Sequence, residues 1–205
     1  MGNRLLNRWD DRPFLIAGPC SAESETQVLE IAKGIKKSGA DLLRTGVWKP
    51  RTRPGSFEGH GEQALDWVVK AGKETGLSTC VEVASPQHVE LALTAGIDAL
   101  WIGARTTVNP FMVQELADSL RGSKVPVMVK NPVNPDLGLW IGALERMEQA
   151  GVSELAAIHR GFSTYEKTPF RNSPNWNIAI ELRTISSELP IYCDPSHICG
   201  NRELL

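Results

Sequence analysis

The stretch GIDALWIGARTTVNP, residues 96–110, contains the local signals that decide the fold. Gly96 ends one helical pattern, and the apolar run Ala99–Ile102 predicts a short buried strand. Asn109-Pro110 then predicts the start of the next helix, as N-cap and first helical residue. A short strand between two helices is typical of a parallel sheet, because parallel strands need a crossover connection.

The same alternation extends along the chain in both directions. Helix starts are predicted at Ser24 and Ser85 and near Asp136, a helix end is predicted near Gly76, and a last helix is predicted over 177–189. Seven short strands are predicted between these helices, at Phe14–Ala17, Leu42–Arg44, Thr79–Val83, Ala99–Ile102, Val125–Val129, Glu154–Ile158 and Ile191–Cys193.

Seven strand–helix beginnings are one short of an eight-stranded α/β barrel. We prefer a TIM-type (β/α)8 barrel to an open doubly wound sheet, because residues with useful chemistry follow nearly every strand. An open sheet would concentrate them at one switch point. We therefore expect residues 1–205 to form a single, incomplete barrel domain without its eighth β/α unit. An unclosed barrel exposes strand edges, so either the chain is a fragment or a partner supplies the rest, and we favour a fragment of a longer enzyme.

Composition excludes several classes of function. The 22 basic and 24 acidic residues nearly balance, which gives no general affinity for nucleic acid or an anionic membrane. No apolar stretch approaches the roughly 20 residues that a membrane span needs, and residues 1–12 contain no signal-peptide core. Four cysteines without a short disulfide-type spacing suit a reducing compartment. These features predict a cytoplasmic protein.

Basic side chains follow four of the predicted strands. Cations at converging strand ends repel one another unless an anion lies between them. The pattern predicts a ligand with several negative charges, such as a phosphorylated carboxylate. The residues are Arg44, Lys49, Arg105, Lys130 and Arg160.

Cys20 and His197 occupy similar places after the first and seventh strands. A lone cysteine in an α/β protein is most often a small buried hydrophobe, and a loop histidine is often only hydrogen-bonded. Gly18-Pro19 before Cys20 places the thiol in a loop. A thiolate and an imidazole at one barrel mouth would form half of a metal site, with two more ligands expected.

Three further segments favour anion binding. Lys49-Pro50-Arg51-Thr52 combines two cations and a hydroxyl in a loop stiffened by proline. Gly103-Ala104-Arg105 offers a small-residue turn beside an arginine. Lys130 could be an anion clamp or a Schiff-base nucleophile, and its residue type alone does not decide. The connection from Gly161 to Pro174 is long and is predicted to be a mobile lid.

Taken together and in order, these motifs resemble the 3-deoxy-D-arabino-heptulosonate 7-phosphate (DAHP) synthases of the class related to 3-deoxy-D-manno-octulosonate 8-phosphate synthase. The Lys-Pro-Arg-Thr run distinguishes the two branches, since the octulosonate branch typically has Lys-Ala-Asn-Arg there. The matching segments are Gly18-Pro19-Cys20-Ser21, Arg44, Lys49–Thr52, Gly103-Ala104-Arg105, Lys130, Arg160-Gly161 and Asp194-Pro195-Ser196-His197.

The resemblance implies condensation of phosphoenolpyruvate with erythrose 4-phosphate to DAHP and phosphate, the first step of the shikimate pathway. It implies a divalent metal (Mn, Fe, Co or Zn) with Cys20 and His197 among its ligands. Lys49 and His197 are the candidates for proton transfer, and a homo-oligomer is expected. The implied substrate-binding residues are Arg44, Lys49, Pro50, Arg51, Thr52, Ala104, Arg105, Lys130 and Arg160.

The two remaining metal ligands of the family, a glutamate and an aspartate, would follow the eighth strand, and Glu203 is a poor substitute. We therefore expect the 205 residues alone to be inactive or nearly so, and the longer protein to be a competent synthase. Some relatives carry a chorismate mutase domain after the barrel, and the same could hold here.

Three alternatives stay open at this point. The first is the octulosonate 8-phosphate synthase, which uses arabinose 5-phosphate. The second is a metal-free aldolase that forms a Schiff base on Lys130 and tolerates the loss of Cys20. The third is a sugar-phosphate-binding module that has kept the anion site without catalysis.

Overall fold

A computed structural model describes residues 5–6, 12–49, 53 and 55–205 of the chain. The chain divides into two compact units, the first formed by residues 8–101 and the second by residues 1–7 with 102–205. Both units alternate short parallel strands with helices. Pro50, Arg51 and Thr52 of the predicted substrate loop lie outside the described residues.

The first unit contains three strand–helix repeats and most of a fourth strand. In its parallel sheet, Ile16 of β1 lies opposite Leu42 of β2, which lies opposite Ser78 of β3. The elements are β1 (Ile16–Ala17), α1 (Glu25–Lys37), β2 (Leu42–Thr45), α2 (Glu62–Thr75), β3 (Ser78–Val83), α3 (Pro86–Ala95) and β4 (Ala99–Ile102).

Side-chain caps set the helix boundaries of the first unit. The Ser24 hydroxyl accepts a hydrogen bond from the Gln27 backbone N–H at 3.2 Å, and the Gln27 side chain accepts one from the Glu23 N–H at 2.9 Å. This reciprocal pattern satisfies two donors at the start of α1. Gly96 ends α3 in the left-handed conformation at φ 85°, which glycine adopts without steric cost.

The second unit continues the alternation with three strands. Met128 of β5 lies opposite Ala156 of β6, and His159 of β6 lies opposite Cys193 of β7, all in parallel. The elements are α4 (Ala104–Thr107), α5 (Pro110–Ser119), β5 (Val127–Lys130), α6 (Leu137–Gln149), β6 (Leu155–His159), α7 (Trp176–Ile185), β7 (Ile191–Cys193) and α8 (Pro195–Cys199).

Leu6 ties the start of the chain to the second unit. Its side chain is buried, its N–H donates to the Glu154 carboxylate, and its carbonyl accepts a hydrogen bond from the Tyr192 hydroxyl at 2.6 Å. Every residue of β5 is buried, as expected for a parallel strand covered by helices. In the part of the chain that the structure describes, no helix is long and apolar enough to cross a membrane.

Several predicted boundaries need correction. The fifth strand begins at Val127 and not at Val125, because Pro126 has no N–H to donate to a strand ladder. The helix before β7 ends at Ile185, four residues earlier than predicted. Two short helices, α4 and α8, were not predicted. Helix α8 begins with Asp194-Pro195, the same cap-and-proline signal as Asn109-Pro110.

Candidate active site

The loops after β1 and β2 pack closely in the first unit, and two glycines make this possible. A Cβ on Gly18 would lie 2.0 Å from the carbonyl oxygen of Arg44, and one on Gly46 would lie 2.2 Å from that of Cys20. Gly18 also has φ 147°, which L side chains rarely adopt. The Ala22 N–H donates to the Gly46 carbonyl at 2.9 Å. The two loops therefore present their side chains together.

Cys20, Arg44 and Lys49 form what we call the cysteine corner. Lys49 Nζ donates to the Cys20 carbonyl at 2.6 Å and lies 3.3 Å from Cys20 Sγ, and the Arg44 guanidinium donates to the Pro19 carbonyl at 3.4 Å. Partial burial raises the pKa of the exposed Cys20 thiol. The nearby charges of Lys49 and Arg44 outweigh burial, so the pKa lies below its ordinary value. The corner thus favours a thiolate.

One cation of the cysteine corner, Arg44, contacts an aromatic ring, and a second aromatic pair lies next to Lys49 in the chain. The Arg44 guanidinium carbon lies 5.3 Å from the centre of the Trp101 ring, and the Trp101 indole donates to the Glu82 carboxylate at 2.9 Å. Trp48, next to Lys49, stacks on the His88 imidazole with centroids 4.0 Å apart and planes 5° apart. Contact with an aromatic face stabilises a cation without neutralising it.

The imidazole of His88 stacks on Trp48 in its neutral form. Its Nδ1 accepts a hydrogen bond from the Ala84 backbone N–H at 3.3 Å, and the His88 backbone N–H donates to the Ser85 hydroxyl at 3.3 Å. Burial lowers the pKa of His88, and the charge of Glu82 offsets only part of this. The segment that leads to Lys49 is therefore fixed against the first turn of α3.

Lys130, Arg160, Asp194 and His197 form the histidine corner of the second unit. Lys130 Nζ lies 3.3 Å from Asp194 Oδ2, and His197 Nδ1 lies 2.7 Å from the same oxygen. The Lys130 and Asp194 side chains are only 9% and 14% exposed. Burial raises the pKa of Asp194, but the hydrogen bond from His197 and the charge of Lys130 lower it far below its ordinary value. Asp194 is therefore a carboxylate shared by two cationic or donor groups.

The geometry of α8 orients His197. Asp194 caps this helix through a 3.1 Å hydrogen bond from the His197 backbone N–H to Oδ1, while Oδ2 contacts Nδ1 of the ring. The hydrogen bond to Asp194 raises the pKa of His197. Burial and the charges of Lys130 and Arg160 lower it, and the net shift is downward. A neutral imidazole with Nδ1–H directed at Asp194 has its lone pair on Nε2.

Arginine side chains gather around Arg160. Burial lowers the pKa of Arg160, Asp194 raises it, and the charges of Arg171 and Arg105 lower it again. Arg105 lies on the short helix α4, whose first residue is Ala104. Arg171 packs its stem against Gly200, where a Cβ would lie 2.4 Å from that of Arg171. This crowding of positive charge is consistent with a polyanionic ligand.

The connection after β6 is anchored at both of its ends. Phe162 pairs with Ser173 in an isolated bridge, and the Phe162 N–H donates to the Ser173 carbonyl at 2.8 Å. Asn172 is buried and donates from its side chain to the His197 carbonyl at 2.6 Å. The predicted lid is therefore fastened to α8, the helix that carries His197.

The structure distributes the predicted site residues between the two units. Cys20, Arg44 and Lys49 come together in the first unit. The second unit contains Ala104, Arg105, Lys130, Arg160 and His197, and in that unit Lys130 and His197 share Asp194. Among residues 5–6, 12–49, 53 and 55–205, no group of three or more His, Cys, Asp or Glu side chains is arranged to hold a metal ion.

Sequence reasoning assigned no role to four residues that support the site: Glu82, Trp101, Asn131 and Asp194, the last of which appeared only as part of a matching segment. A signal existed for Asp194, because an N-cap aspartate at i and a histidine at i+3 face each other on the first helical turn. Nothing local marked Trp101 or Glu82, whose contacts join neighbouring strands.

Comparison with known proteins assigns the chain to a family. A model of the family described as "DAHP synthetase I family" matches residues 3–204. The chain belongs to the DAHP synthetase I family. Nearly the whole sequence is covered by this match, as the order of the motifs predicted.

Relatives of this DAHP synthetase I chain include enzymes of two names. The phospho-2-dehydro-3-deoxyheptonate aldolase of Thermotoga maritima is 32% identical over 195 residues, which cover 93% of this chain and 54% of that protein. A 2-dehydro-3-deoxyphosphooctonate aldolase of Desulfatibacillum aliphaticivorans is 40% identical over 83 residues, which cover 37% of this chain and 30% of that protein. The chain thus spans about half the length of the Thermotoga relative.

The crystal structure of the Thermotoga maritima phospho-2-dehydro-3-deoxyheptonate aldolase (DAHP synthase) has the same fold as this family member. It superposes with a TM-score of 0.81 at 29% identity, over 93% of this chain and 54% of that one. The similarity confirms the predicted α/β class of the TIM-type barrel. Seven parallel strands, each followed by a helix, represent seven of its β/α units.

Proposed function

We propose that this chain belongs to a 3-deoxy-7-phosphoheptulonate synthase, a transferase that condenses phosphoenolpyruvate with erythrose 4-phosphate and releases phosphate. The observation that carries the proposal is the histidine corner. There Lys130, Arg160 and the nearby Arg105 concentrate positive charge, and Asp194 supplies a carboxylate beside two of them. A ligand that carries both a phosphate and a carboxylate matches this excess of cations.

The cations of both corners bind different groups of the two substrates in this proposal. Arg105, Arg160 and Lys130 hold the phosphate of phosphoenolpyruvate, with Ala104 opening the turn beside it. Arg44, Lys49 and Lys130 face the carboxylate. Lys49 and the following Pro50, Arg51 and Thr52 line the erythrose 4-phosphate side. Fixed cations of this kind also stabilise charge that moves as the new C–C bond forms.

Each corner offers one donor of a type that divalent metals bind. The electrostatics of the cysteine corner favour a Cys20 thiolate, and the His197 Nδ1 contact with Asp194 leaves Nε2 as the donor, an arrangement common behind metal-bound histidines. We propose Cys20 and His197 as two ligands of Mn, Fe, Co or Zn. When bound, such a metal supplies Lewis-acid polarisation of the aldehyde oxygen.

Lys49 and His197 are the proposed proton-transfer groups. Lys49 is placed by contacts to the Cys20 carbonyl and thiol, and His197 is oriented by Asp194. A homo-oligomer and a cytoplasmic location remain predictions.

The Schiff-base alternative is disfavoured by the environment of Lys130. A nucleophilic lysine needs a neutral amine. Here the ion pair with the buried Asp194 carboxylate stabilises the charged ammonium. The octulosonate alternative keeps support from the relatives of that name, and the choice of aldehyde substrate decides it.

Two measurements test the proposal. The first is calorimetric binding of phosphoenolpyruvate to the chain. The second is phosphate release with Mn²⁺ and either erythrose 4-phosphate or arabinose 5-phosphate, alongside the Thermotoga enzyme as a working control. We expect phosphoenolpyruvate to bind, and any phosphate release to depend on erythrose 4-phosphate. Absence of phosphoenolpyruvate binding contradicts the proposal. Phosphate release with arabinose 5-phosphate but not with erythrose 4-phosphate assigns the octulosonate reaction. A third measurement, borohydride trapping of a substrate on Lys130, would assign the aldolase.

A further inference from the structure

Asn131 is a fully buried polar side chain directly after Lys130, and the substrate-binding roles proposed above do not include it. Its exposed fraction is 0%, and its backbone N–H donates to the Ile158 carbonyl at 3.0 Å as the parallel pairing of β5 and β6 ends. A buried amide of this kind is stable only when its donors and acceptor are satisfied.

Two of the three hydrogen bonds of the Asn131 side chain are made to the exit of β6. Its Oδ1 accepts from the Arg160 backbone N–H at 2.7 Å, and its Nδ2 donates to the Gly161 carbonyl at 2.8 Å and to the Pro132 carbonyl at 2.8 Å. The Arg160 N–H and the Gly161 carbonyl stand on opposite sides of the Arg160 Cα. One amide therefore fixes the backbone before and after this arginine.

The surrounding backbone gives this segment little freedom to adjust. Gly161 adopts φ 76°, and a Cβ there would lie 2.7 Å from the Asn172 carbonyl oxygen. The Ser163 N–H donates to the Val133 carbonyl at 2.7 Å, which joins the same two loops again two residues further on. Because the backbone at Arg160 is held from both sides, the direction in which its side chain leaves the strand is set as well.

We propose that Asn131 is a positioning residue for the anion site, which acts by fixing Arg160 relative to Lys130. The inference rests on the proposed function, since the anion is taken to be phosphoenolpyruvate. Asparagine suits the position because its surroundings offer one N–H and one carbonyl at the exit of β6 and a second carbonyl, that of Pro132, after β5. A carboxylate would face both carbonyls without a donor, and an apolar side chain would leave all three groups unpaired.

A double-mutant cycle tests whether Asn131 acts through Arg160. The variants are Asn131→Ala, Arg160→Met and the combination, and the readout is the dissociation constant of phosphoenolpyruvate by calorimetry. We expect Asn131→Ala to raise this constant about tenfold, the equivalent of one charge-assisted contact. In the Arg160→Met background the same change should add almost nothing, because coupled residues are not additive.

Two further variants separate positioning from general stability. Leu116→Ala removes a buried side chain of α5 and should lower Tm without changing phosphoenolpyruvate affinity. Asn131→Ser keeps a hydroxyl acceptor for the Arg160 N–H and should weaken binding less than alanine does. If Asn131→Ala does not fold, the serine variant carries the cycle in its place.

The possible outcomes are distinct. A wild-type chain that binds phosphoenolpyruvate while the Asn131 variants bind equally well overturns this inference and leaves the proposed function standing. An equal loss of affinity with and without Arg160 also overturns it. A wild-type chain that does not bind phosphoenolpyruvate overturns the proposed function and the positioning role together. Loss of affinity only when Arg160 is present supports the inference.

Discussion

The two corners hold their cations by different physical means. In the cysteine corner, Lys49 and Arg44 face carbonyl oxygens, a thiol and an indole ring. In the histidine corner, Lys130 and His197 share the buried carboxylate of Asp194. The first arrangement keeps its positive charge and lowers the pKa of a thiol, and the second offsets part of its charge within the protein.

The difference has a consequence for stability and for ligand binding. A buried ion pair is costly to break, because removal of one partner leaves an unpaired charge. Substitution of a cation that contacts only carbonyl dipoles or an aromatic face should cost less free energy of unfolding. The histidine corner should therefore carry more of the folding stability, and the cysteine corner should respond mainly in the chemistry of Cys20.

The largest expected effect comes from Asp194→Asn, which removes the shared carboxylate. It leaves the Lys130 ammonium, on a side chain only 9% exposed, beside a neutral amide. We expect a loss of roughly 3 kcal/mol in the free energy of unfolding at pH 7, as for other broken buried pairs. Urea denaturation measures it, with Asp118→Asn as control. That carboxylate pairs with Arg121 on the surface and should contribute almost nothing. If Asp194→Asn lowers the free energy of unfolding no more than Asp118→Asn does, the histidine corner does not carry more stability than the cysteine corner.

The same variant should change the response to acid. The pKa of Asp194 is lowered in the folded chain, so the unfolded chain takes up this proton first, as pH falls below about 4. The stabilisation is fully present above that pH and is lost below it. The wild-type advantage over Asp194→Asn should therefore shrink on acidification. A difference that is constant from pH 7 to pH 3 would contradict this account.

The second effect concerns His159, on the helix-facing side of β6. It packs against Trp176 and Phe162 with ring centroids 4.8 and 5.7 Å away, and neither ring nitrogen has a well-formed hydrogen bond among the described residues. Burial lowers the pKa of His159, the Pro174 carbonyl raises it by less, and the charge of Arg160 lowers it further. The unfolded chain therefore binds the proton first as pH falls below about 6.5, and stability falls with it.

His159→Phe should abolish that loss. Removal of two buried nitrogens that lack a well-formed hydrogen bond should stabilise the fold by about 1 kcal/mol at pH 7, with a larger gain at pH 5. Thermal unfolding at both pH values measures it. His88→Phe is the matched control in the first unit. The His88 Nδ1 accepts a hydrogen bond from the Ala84 N–H, and loss of this bond should destabilise the fold. Equal pH dependence in wild type and His159→Phe would show that another group titrates.

The third effect tests the cysteine corner through its thiol. Lys49→Met removes the ammonium 3.3 Å from Cys20 Sγ and should raise the thiol pKa. After allowance for solvent screening, the lost interaction is roughly 1 kcal/mol, or about fivefold in thiolate fraction. Iodoacetamide alkylation at pH 7 reports it in a Cys193→Ser background, where Cys80 and Cys199 are buried.

The matched control for that experiment is Lys70→Met. Lys70 is an exposed lysine of the same unit that pairs with Glu25, away from the thiol. It should leave the alkylation rate unchanged. If both lysine variants slow alkylation equally, the effect is one of net charge and not of the local contact with Cys20.

Local sequence signals predicted the fold well where a strand lies between two clear helix boundaries. Strand β4 was predicted residue for residue, because Gly96 and Asn109-Pro110 confine the apolar run between them. Strand β5 was misplaced because Val125 continues the apolar pattern although Pro126 cannot donate to the ladder. Hydrophobicity locates a strand, and backbone donors determine where it begins.

The site was predictable as a set of residue types but not as a set of contacts. Strand-end position identified Lys130 and His197, yet their common partner Asp194 depends on how β5 and β7 flank β6. The contact between Arg44 and Trp101 likewise joins β2 to β4, which no spacing along the chain reveals. Contacts between strands depend on the tertiary structure, and a single sequence identifies the residue types without their pairing.

The smallest expected effect decides whether the cysteine corner works by charge alone. Arg44→Lys keeps the positive charge but loses the planar guanidinium that lies 5.3 Å from the centre of the Trp101 ring. If ring contact contributes about 0.5–1 kcal/mol, the dissociation constant of phosphoenolpyruvate rises roughly threefold. Arg12→Lys, at the exposed pair with Asp41, controls for the substitution itself. Unchanged affinity in Arg44→Lys would show that only the positive charge at this position contributes to phosphoenolpyruvate binding. A threefold loss confined to Arg44 would show that the aromatic face, and not a carboxylate, is the counterpart that fixes this cation.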